Sequence, residues 1–167
     1  MSMLTRQITI EAPADAVWDL VGRRFDRIGD WATAIPASTA IVSTPSGAAP
    51  TRIPAAATPA DAPVAGRVCH TGIRLLPEVT EMIVAYDDTA RTLTYQASGL
   101  PGFVTTARNT WTVTPLDERR ARVCLHAQFD TRGVLGVLAR WAILIQVART
   151  SRHLGSWCET VLVGPPG

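Results

Sequence analysis

The segment from Ile8 to Trp31 constrains the fold more than any other part of the chain. Ile8 and Ile10 alternate with polar residues, which is the period of a half-buried strand. Pro13 is suited to the first turn of a helix, and apolar residues then recur at helical spacing as far as Trp31. The segment therefore predicts a short strand and two short helices, with Trp18 and Trp31 bracing the helices against a sheet formed by the rest of the chain.

The residues between Gly66 and Asp130 predict five strands that are joined by short turns. The strands cover residues 67–75, 79–86, 91–97, 103–113 and 121–130, and Pro77 is expected to end the first of them. Short connections of this kind indicate an antiparallel meander. In the last of these strands, alternation predicts that Val123, Leu125, Ala127 and Phe129 face the core and that His126 faces outward. One further strand is predicted at residues 35–43, which gives seven strands in the whole chain.

An Ala- and Pro-rich stretch, residues 44–65, interrupts this pattern. It contains five prolines and almost no large apolar side chain, so it cannot bury enough surface to offset the entropy lost on ordering it. We predict a surface loop that is inserted into a single domain of residues 1–167. A linker between two domains is disfavoured, because the 43 residues before it are too few for an independent core.

Residues 134–163 contain no proline and predict a long C-terminal helix. The first half is apolar on nearly all sides, which indicates burial, whereas the second half is apolar on one side only. The apolar half is too short and too interrupted to span a bilayer, which needs about 20 apolar residues. We therefore expect no integral membrane association. The extra apolar surface of this half could instead be covered by a second subunit in a homodimer or by a membrane surface.

Composition excludes several classes of function. A formal net charge of +2 is too small to indicate nucleic-acid binding. The three cysteines are odd in number and far apart, which disfavours both a disulfide framework and a zinc site. The N-terminus has no apolar leader segment. We expect a cytoplasmic protein that uses neither a metal ion nor a cofactor.

Short motifs along almost the whole chain occur in a recognisable order. They are Ile10–Ala14 with Val17 and Trp18, Trp31 followed by Pro36, Gly66–Val68, Glu81, Tyr86–Asp87, Arg91, Leu93–Tyr95, Trp111–Val113 and Pro115. This ordered set resembles the START-like superfamily, which includes the birch-pollen allergen and the bacterial polyketide cyclase/dehydrase and lipid-transport proteins. The Ala- and Pro-rich stretch is the departure, because the family usually has a short connection there.

The resemblance implies an α+β helix-grip fold. In this fold a curved, seven-stranded antiparallel sheet wraps round a long C-terminal helix, and two short helices follow the first strand. An apolar cavity lies between the sheet and the long helix. The implied function is the binding or carriage of a hydrophobic small molecule, such as a lipid or a polyketide-like compound. A polyketide cyclase or aromatase and a partner-binding module without a ligand are the alternatives, so catalysis remains open.

Polar residues that face the cavity would decide between these functions. Alternation places Asn109 on the face of Trp111, where its amide would orient a ligand, unless a bulge turns it outward. Glu81 would act as an acid or base if it faced inward, but pairing with an arginine on the outer surface is the favoured alternative. Tyr95 is the third catalytic candidate. The predicted ligand-binding residues are Tyr95, Asn109, Trp111, Leu138, Trp141 and Ile145.

Overall fold

The protein was studied as a computed structural model, which describes residues 2–32, 35–42, 58–74 and 76–131, together with residues 149, 152–158 and 160. Seven strands account for most of the described residues. They are β1 (Ser2–Ile10), β2 (Ala37–Ile41), β3 (Gly66–Ile73), β4 (Leu76–Asp87), β5 (Thr92–Ser98), β6 (Val104–Pro115) and β7 (Ala121–Thr131). Between β1 and β2 lie the helix α1 (Ala14–Trp18), a π-helical turn (Asp19–Arg23) and a 3-10 helix (Phe25–Asp30).

All seven strands form one antiparallel sheet in the order β1-β7-β6-β5-β4-β3-β2. This confirms the predicted meander and the seven-stranded antiparallel architecture. The first two strands lie at opposite edges, so the helical segment between them must carry the chain across one face of the sheet. The 3-10 helix packs on β2 and β3, whereas α1 contacts β6 and β7.

Side chains alternate between the two faces of the sheet, as the period of a strand requires. In β7 the inward residues Val123, Leu125, Ala127 and Phe129 are all buried, which confirms the predicted core face. His126 faces the other way, where its ring nitrogen Nδ1 lies 2.8 Å from the hydroxyl of Thr5 on β1. The helical segment covers the inward face, and the core therefore lies between this segment and the sheet.

Both tryptophans of the helical segment brace it against the sheet, as predicted. Trp18 is fully buried, stacks on Tyr86 with 5.6 Å between ring centroids, and donates its indole N–H to Asp88 at 2.7 Å. Arg23 reaches the same carboxylate with two hydrogen bonds. Trp31 packs at a right angle to Trp111, with ring centroids 6.5 Å apart.

One strand boundary differs from the prediction because of a local backbone irregularity. Pro77 was expected to end a strand, but it is the second residue of β4. The pairing of β3 with β4 shifts its register between His70 and Ile73, and a strand tolerates a proline at such an irregularity because no regular ladder bond is lost. The second strand is shorter than predicted and covers only Ala37–Ile41.

The end of the Ala- and Pro-rich stretch also differs from a plain surface loop. Ala62 and Val64 pack against the core, and Ala65 is buried. The N–H of Ala65 donates to Ile41, and its carbonyl accepts from Ile83. Residues 58–65 therefore lead directly into the sheet, whereas residues 43–57 lie outside the described residues.

The described part of the C-terminal region is helical at residues 149, 152–158 and 160. Leu154 and Cys158 are fully buried, whereas Arg152 and Ser156 are exposed, as the one-sided pattern predicts. The long helix over the whole of residues 134–163 remains a prediction, because its other residues lie outside the described ones. No helix among the described residues has the length and apolar character needed to cross a membrane.

Candidate functional site

The inward face of the central strands brings several of the predicted residues together. Tyr95 on β5 lies directly opposite Asn109 on β6, which in turn lies opposite Ala127 on β7. The next row across the sheet runs from Glu81 through Ala97 and Ala107 to Phe129. Trp111 follows Asn109 on the same face.

This inward face is densely packed at one end and more open at the other. Trp111, Val113 and Leu93 are at most 3% exposed. Asn109, Ala107 and Ala97 are only half-buried, although they point to the same face. Ala97 and Ala107 are thus less deeply covered than Ala127, which lies opposite Asn109 and is 1% exposed. An apolar surface with a few polar groups is typical of small-molecule sites.

A buried ion pair lies beside this surface. Arg67 on β3 faces Glu81 on β4, and its Nε and Nη2 atoms donate to Glu81 Oε2 at 2.6 and 2.5 Å. The side chain of Arg67 is 3% exposed and that of Glu81 is 12% exposed. The guanidinium carbon lies 3.9 Å from the ring centroid of Phe25, and Nη1 donates to the carbonyl of Phe25. The pair therefore fixes the 3-10 helix to the sheet.

Glu81 agrees in part with each of the two predictions made for it, an inward-facing carboxylate and a carboxylate paired with an arginine. It pairs with an arginine across the sheet, as the favoured alternative predicted, but the pair lies on the inner face and not on the outer surface. The pair can lie there because two aromatic rings shield its charges from water. The guanidinium of Arg67 lies against Phe25, and it is also 5.5 Å from the ring centroid of Tyr95. Paired charges tolerate burial far better than single ones.

The environment keeps two neighbouring acidic groups protonated. Burial raises the pKa of Tyr95, and the Glu81 carboxylate raises it further, while Arg67 opposes both effects. Burial likewise raises the pKa of the Cys69 thiol to about 12, with Glu81 adding to the effect. Cys69 Sγ donates to Glu81 Oε2 at 3.7 Å. At neutral pH Tyr95 is therefore a hydrogen-bond donor, and Cys69 is a neutral thiol without nucleophilic character.

The sequence interpretation missed two residues that shape the site. Arg67 is buried and Phe25 covers it, whereas Trp31, which was predicted to brace the helical segment, is 5% exposed beside Trp111. Arg67 lies two residues before Cys69 on β3, so the two side chains share one face of the strand. The alternation of β3 could therefore have indicated an inward-facing arginine. The predicted residues Leu138, Trp141 and Ile145 lie outside the described residues.

Other features of the described surface are poorer candidates. An open groove of about 750 Å³ is lined by Glu11 and by the tip of the β6–β7 hairpin, residues 117–120. Its walls carry charges of both signs and lack the apolar surface that a small-molecule site needs. Among the described residues, no group of three or more His, Cys, Asp or Glu side chains is placed to hold a metal ion.

Comparison with known sequences assigns the family. Residues 1–154 match the family described as polyketide cyclase / dehydrase and lipid transport. The chain belongs to this family. No curated protein matches the sequence.

Solved structures of other proteins have the same fold. A protein from Thermobifida fusca, solved by NMR in solution, is 26% identical, covers 92% of this chain and 93% of its own, and superposes with a TM-score of 0.64. The Zhui aromatase/cyclase from Streptomyces is 17% identical, with 98% and 99% covered and a TM-score of 0.68. Norcoclaurine synthase from Thalictrum flavum, solved with dopamine and hydroxybenzaldehyde, is 13% identical, with 99% and 89% covered and a TM-score of 0.65. The last two similarities establish a shared fold.

Proposed function

We propose that the protein binds or carries a hydrophobic small molecule, such as a lipid or a polyketide-like compound, on the inward face of its sheet. The observation that carries the proposal is a half-buried patch of Ala97, Ala107 and Asn109 on the inward face of neighbouring strands. Elsewhere on the same face large side chains fill the interior. Membership of the polyketide cyclase / dehydrase and lipid transport family supports a ligand of this kind.

The polar groups on this face would orient the ligand more than they would attract it. Tyr95 and Asn109 lie directly opposite each other, and one hydroxyl and one amide suffice to fix the direction of a mainly apolar molecule. The charges of Arg67 and Glu81 are already paired with each other. The ligand is therefore expected to be neutral and predominantly apolar.

Filling the patch tests the proposal. In Ala107→Phe a phenyl ring would cover this patch, because Ala107 is half-buried on the inward face. We expect the fluorescent probe N-phenyl-1-naphthylamine to bind the wild type and to bind this variant at least tenfold more weakly. Binding is measured by titration of the probe fluorescence.

The matched control is Thr106→Phe, which adds the same ring one residue earlier, at an exposed position. The control should bind the probe as the wild type does, and circular dichroism should show the same fold for both variants. Wild-type protein that neither binds the probe nor yields an extractable small molecule after purification would contradict the proposal. It would favour a partner-binding module.

Catalysis of a cyclase or aromatase type is the second candidate function. It is favoured by the proximity of Tyr95, whose hydroxyl is kept protonated, to Asn109 and to the Glu81 carboxylate one row away. Such a set could donate a proton to, and orient, a carbonyl group of a polyketide-like substrate. In this case Tyr95→Phe should lower kcat at least a hundredfold while leaving substrate affinity within about threefold. Equal turnover in wild type and variant would exclude a catalytic Tyr95.

A further inference from the structure

The strand β1 lies at one edge of the sheet, and β7 is its one strand neighbour among the described residues. The outer edge of its nine residues therefore presents a row of backbone N–H and C=O groups that no described strand pairs. The opposite edge strand, β2, is protected, because it has only five residues, follows Pro36 and is packed against the 3-10 helix. The edge that can accept a further strand is therefore that of β1.

β1 lacks the features that usually prevent an edge strand from pairing further. Proteins protect such edges with proline, with bulges or with charged side chains. β1 contains no proline and no glycine, and Arg6 is its one charged residue. It pairs with β7 in one unbroken register, whereas the pairings of β3 with β4, of β4 with β5 and of β6 with β7 each contain an irregularity. The edge is therefore regular enough to continue the sheet.

The residues of β1 are complementary to a second, antiparallel copy of the same strand. A twofold axis at Arg6 would place two arginines directly opposite each other, and like charges in that position are destabilising. An axis at Gln7 avoids this and pairs Thr5 with Thr9 on the outer face, where all three side chains are exposed. Because cross-strand threonines can hydrogen-bond to each other, this register is favoured.

We propose that two copies of this chain form a dimer in which β1 pairs antiparallel with β1 of the second copy, about a twofold axis at Gln7. Residues 4–10 of the two strands then face each other, and the two sheets become one continuous sheet. On the inward face this register pairs Leu4 with Ile10, which are both apolar. Pairing through one strand buries less than the roughly 1,600 Å² of a standard interface, so we expect a dissociation constant on the order of 10–100 μM.

Sedimentation velocity of the full chain, from about 5 to 500 μM, tests the association. The wild type should pass from monomer to dimer, and Gln7→Lys should weaken the dimer about tenfold because it places two like charges at the axis. The control Gln96→Lys adds the same charge at an exposed position of the central strand β5 and should dimerise as the wild type does. A wild type that stays monomeric would overturn the inference, and slow amide exchange along β1 in that monomer would assign the edge to another segment of the chain.

Disulfide cross-linking tests the register. Thr5→Cys and Thr9→Cys are each prepared with Cys124→Ser, which removes the half-buried thiol on the neighbouring strand. Under oxidising conditions a mixture of the two proteins should give a covalent dimer, because Thr5 of one copy faces Thr9 of the other. Neither protein alone should do so, since its two introduced thiols lie four positions apart, about 13 Å, which is too far for a disulfide. A mixture without cross-links, or a covalent dimer of Thr5→Cys alone, would overturn the axis at Gln7.

Discussion

At the scale of single residues, the buried pair of Arg67 and Glu81 has the strongest expected influence on stability. Each charge is acceptable in the interior because the other neutralises it. Glu81→Gln keeps the shape but leaves the guanidinium uncompensated, so we expect it to lower the free energy of unfolding by about 3–5 kcal/mol. Urea denaturation followed by circular dichroism measures the loss.

The double variant Arg67→Met with Glu81→Gln should be closer in stability to the wild type than Glu81→Gln is, because it removes the isolated charge. The exposed pair of Arg120 with Asp117 provides a control, and Asp117→Asn should leave the unfolding curve nearly unchanged. A double variant that is less stable than Glu81→Gln would show that the arginine contributes mainly through its contacts with Phe25.

Asp88 should make the stability of the protein depend on pH. Hydrogen bonds from Arg23 and then Trp18 hold the pKa of this carboxyl well below its usual range, even though the carboxyl is exposed. A carboxyl whose pKa is lower in the folded chain stabilises the fold above its unfolded pKa of about 4, and this contribution is lost as the pH falls further towards the folded pKa. Asp88→Asn should therefore be less stable than the wild type at pH 7.

The difference in the free energy of unfolding between the wild type and Asp88→Asn should shrink steadily as the pH is lowered from 4 to 2. Urea denaturation midpoints of wild type and Asp88→Asn at matched pH values measure it. A difference that stays constant over this range would mean that the loss comes from altered hydrogen bonding and not from charge.

At the scale of elements, the sequence predicted what depends on periodicity and missed what depends on local geometry. Period two located the strands and the inward face of β7, because alternation is a property of every strand. The register shift between β3 and β4, which allows Pro77 inside a strand, has no corresponding pattern in the sequence. The three kinds of helix between Ala14 and Asp30 were likewise predicted only as two short helices.

The π-helical turn has a packing requirement that the sequence does not reveal. A Cβ atom on Gly22 would lie 2.5 Å from ring carbons of Trp18, which is itself fully buried. Gly22→Ala should therefore destabilise the protein by about 1–3 kcal/mol, as overpacking usually does. Gly155 is the matched control, since nothing lies within 4 Å of its added Cβ and it is helical. Gly155→Ala should instead stabilise the protein by about 0.5–1 kcal/mol in the same denaturation assay.

At the scale of the whole molecule, the candidate site depends on contacts between distant parts of the chain. Alternation and the resemblance placed Tyr95, Asn109 and Trp111 on one face correctly, because these residues lie on neighbouring strands of a meander. Trp31 was predicted to brace the helical segment, but the contact of Phe25 with Arg67 could not be predicted in the same way. That contact depends on how the helical segment crosses the sheet, which is a property of tertiary packing and not of any local pattern.

The sheet also pairs β1 with β7, the first and last of the described strands in the sequence. Gln7 lies directly opposite Cys124 on the outer face, so Gln7→Cys would place two thiols across one pair of strands. A disulfide there would close a loop of more than about 100 residues and should raise the free energy of unfolding by about 2–4 kcal/mol. The gain should vanish on reduction, and denaturation with and without dithiothreitol measures it. Thr9→Cys, which faces Arg122 and not a cysteine, should show no such gain. Failure of the bond to form under oxidising conditions, as checked by mass spectrometry, would contradict this pairing of β1 with β7.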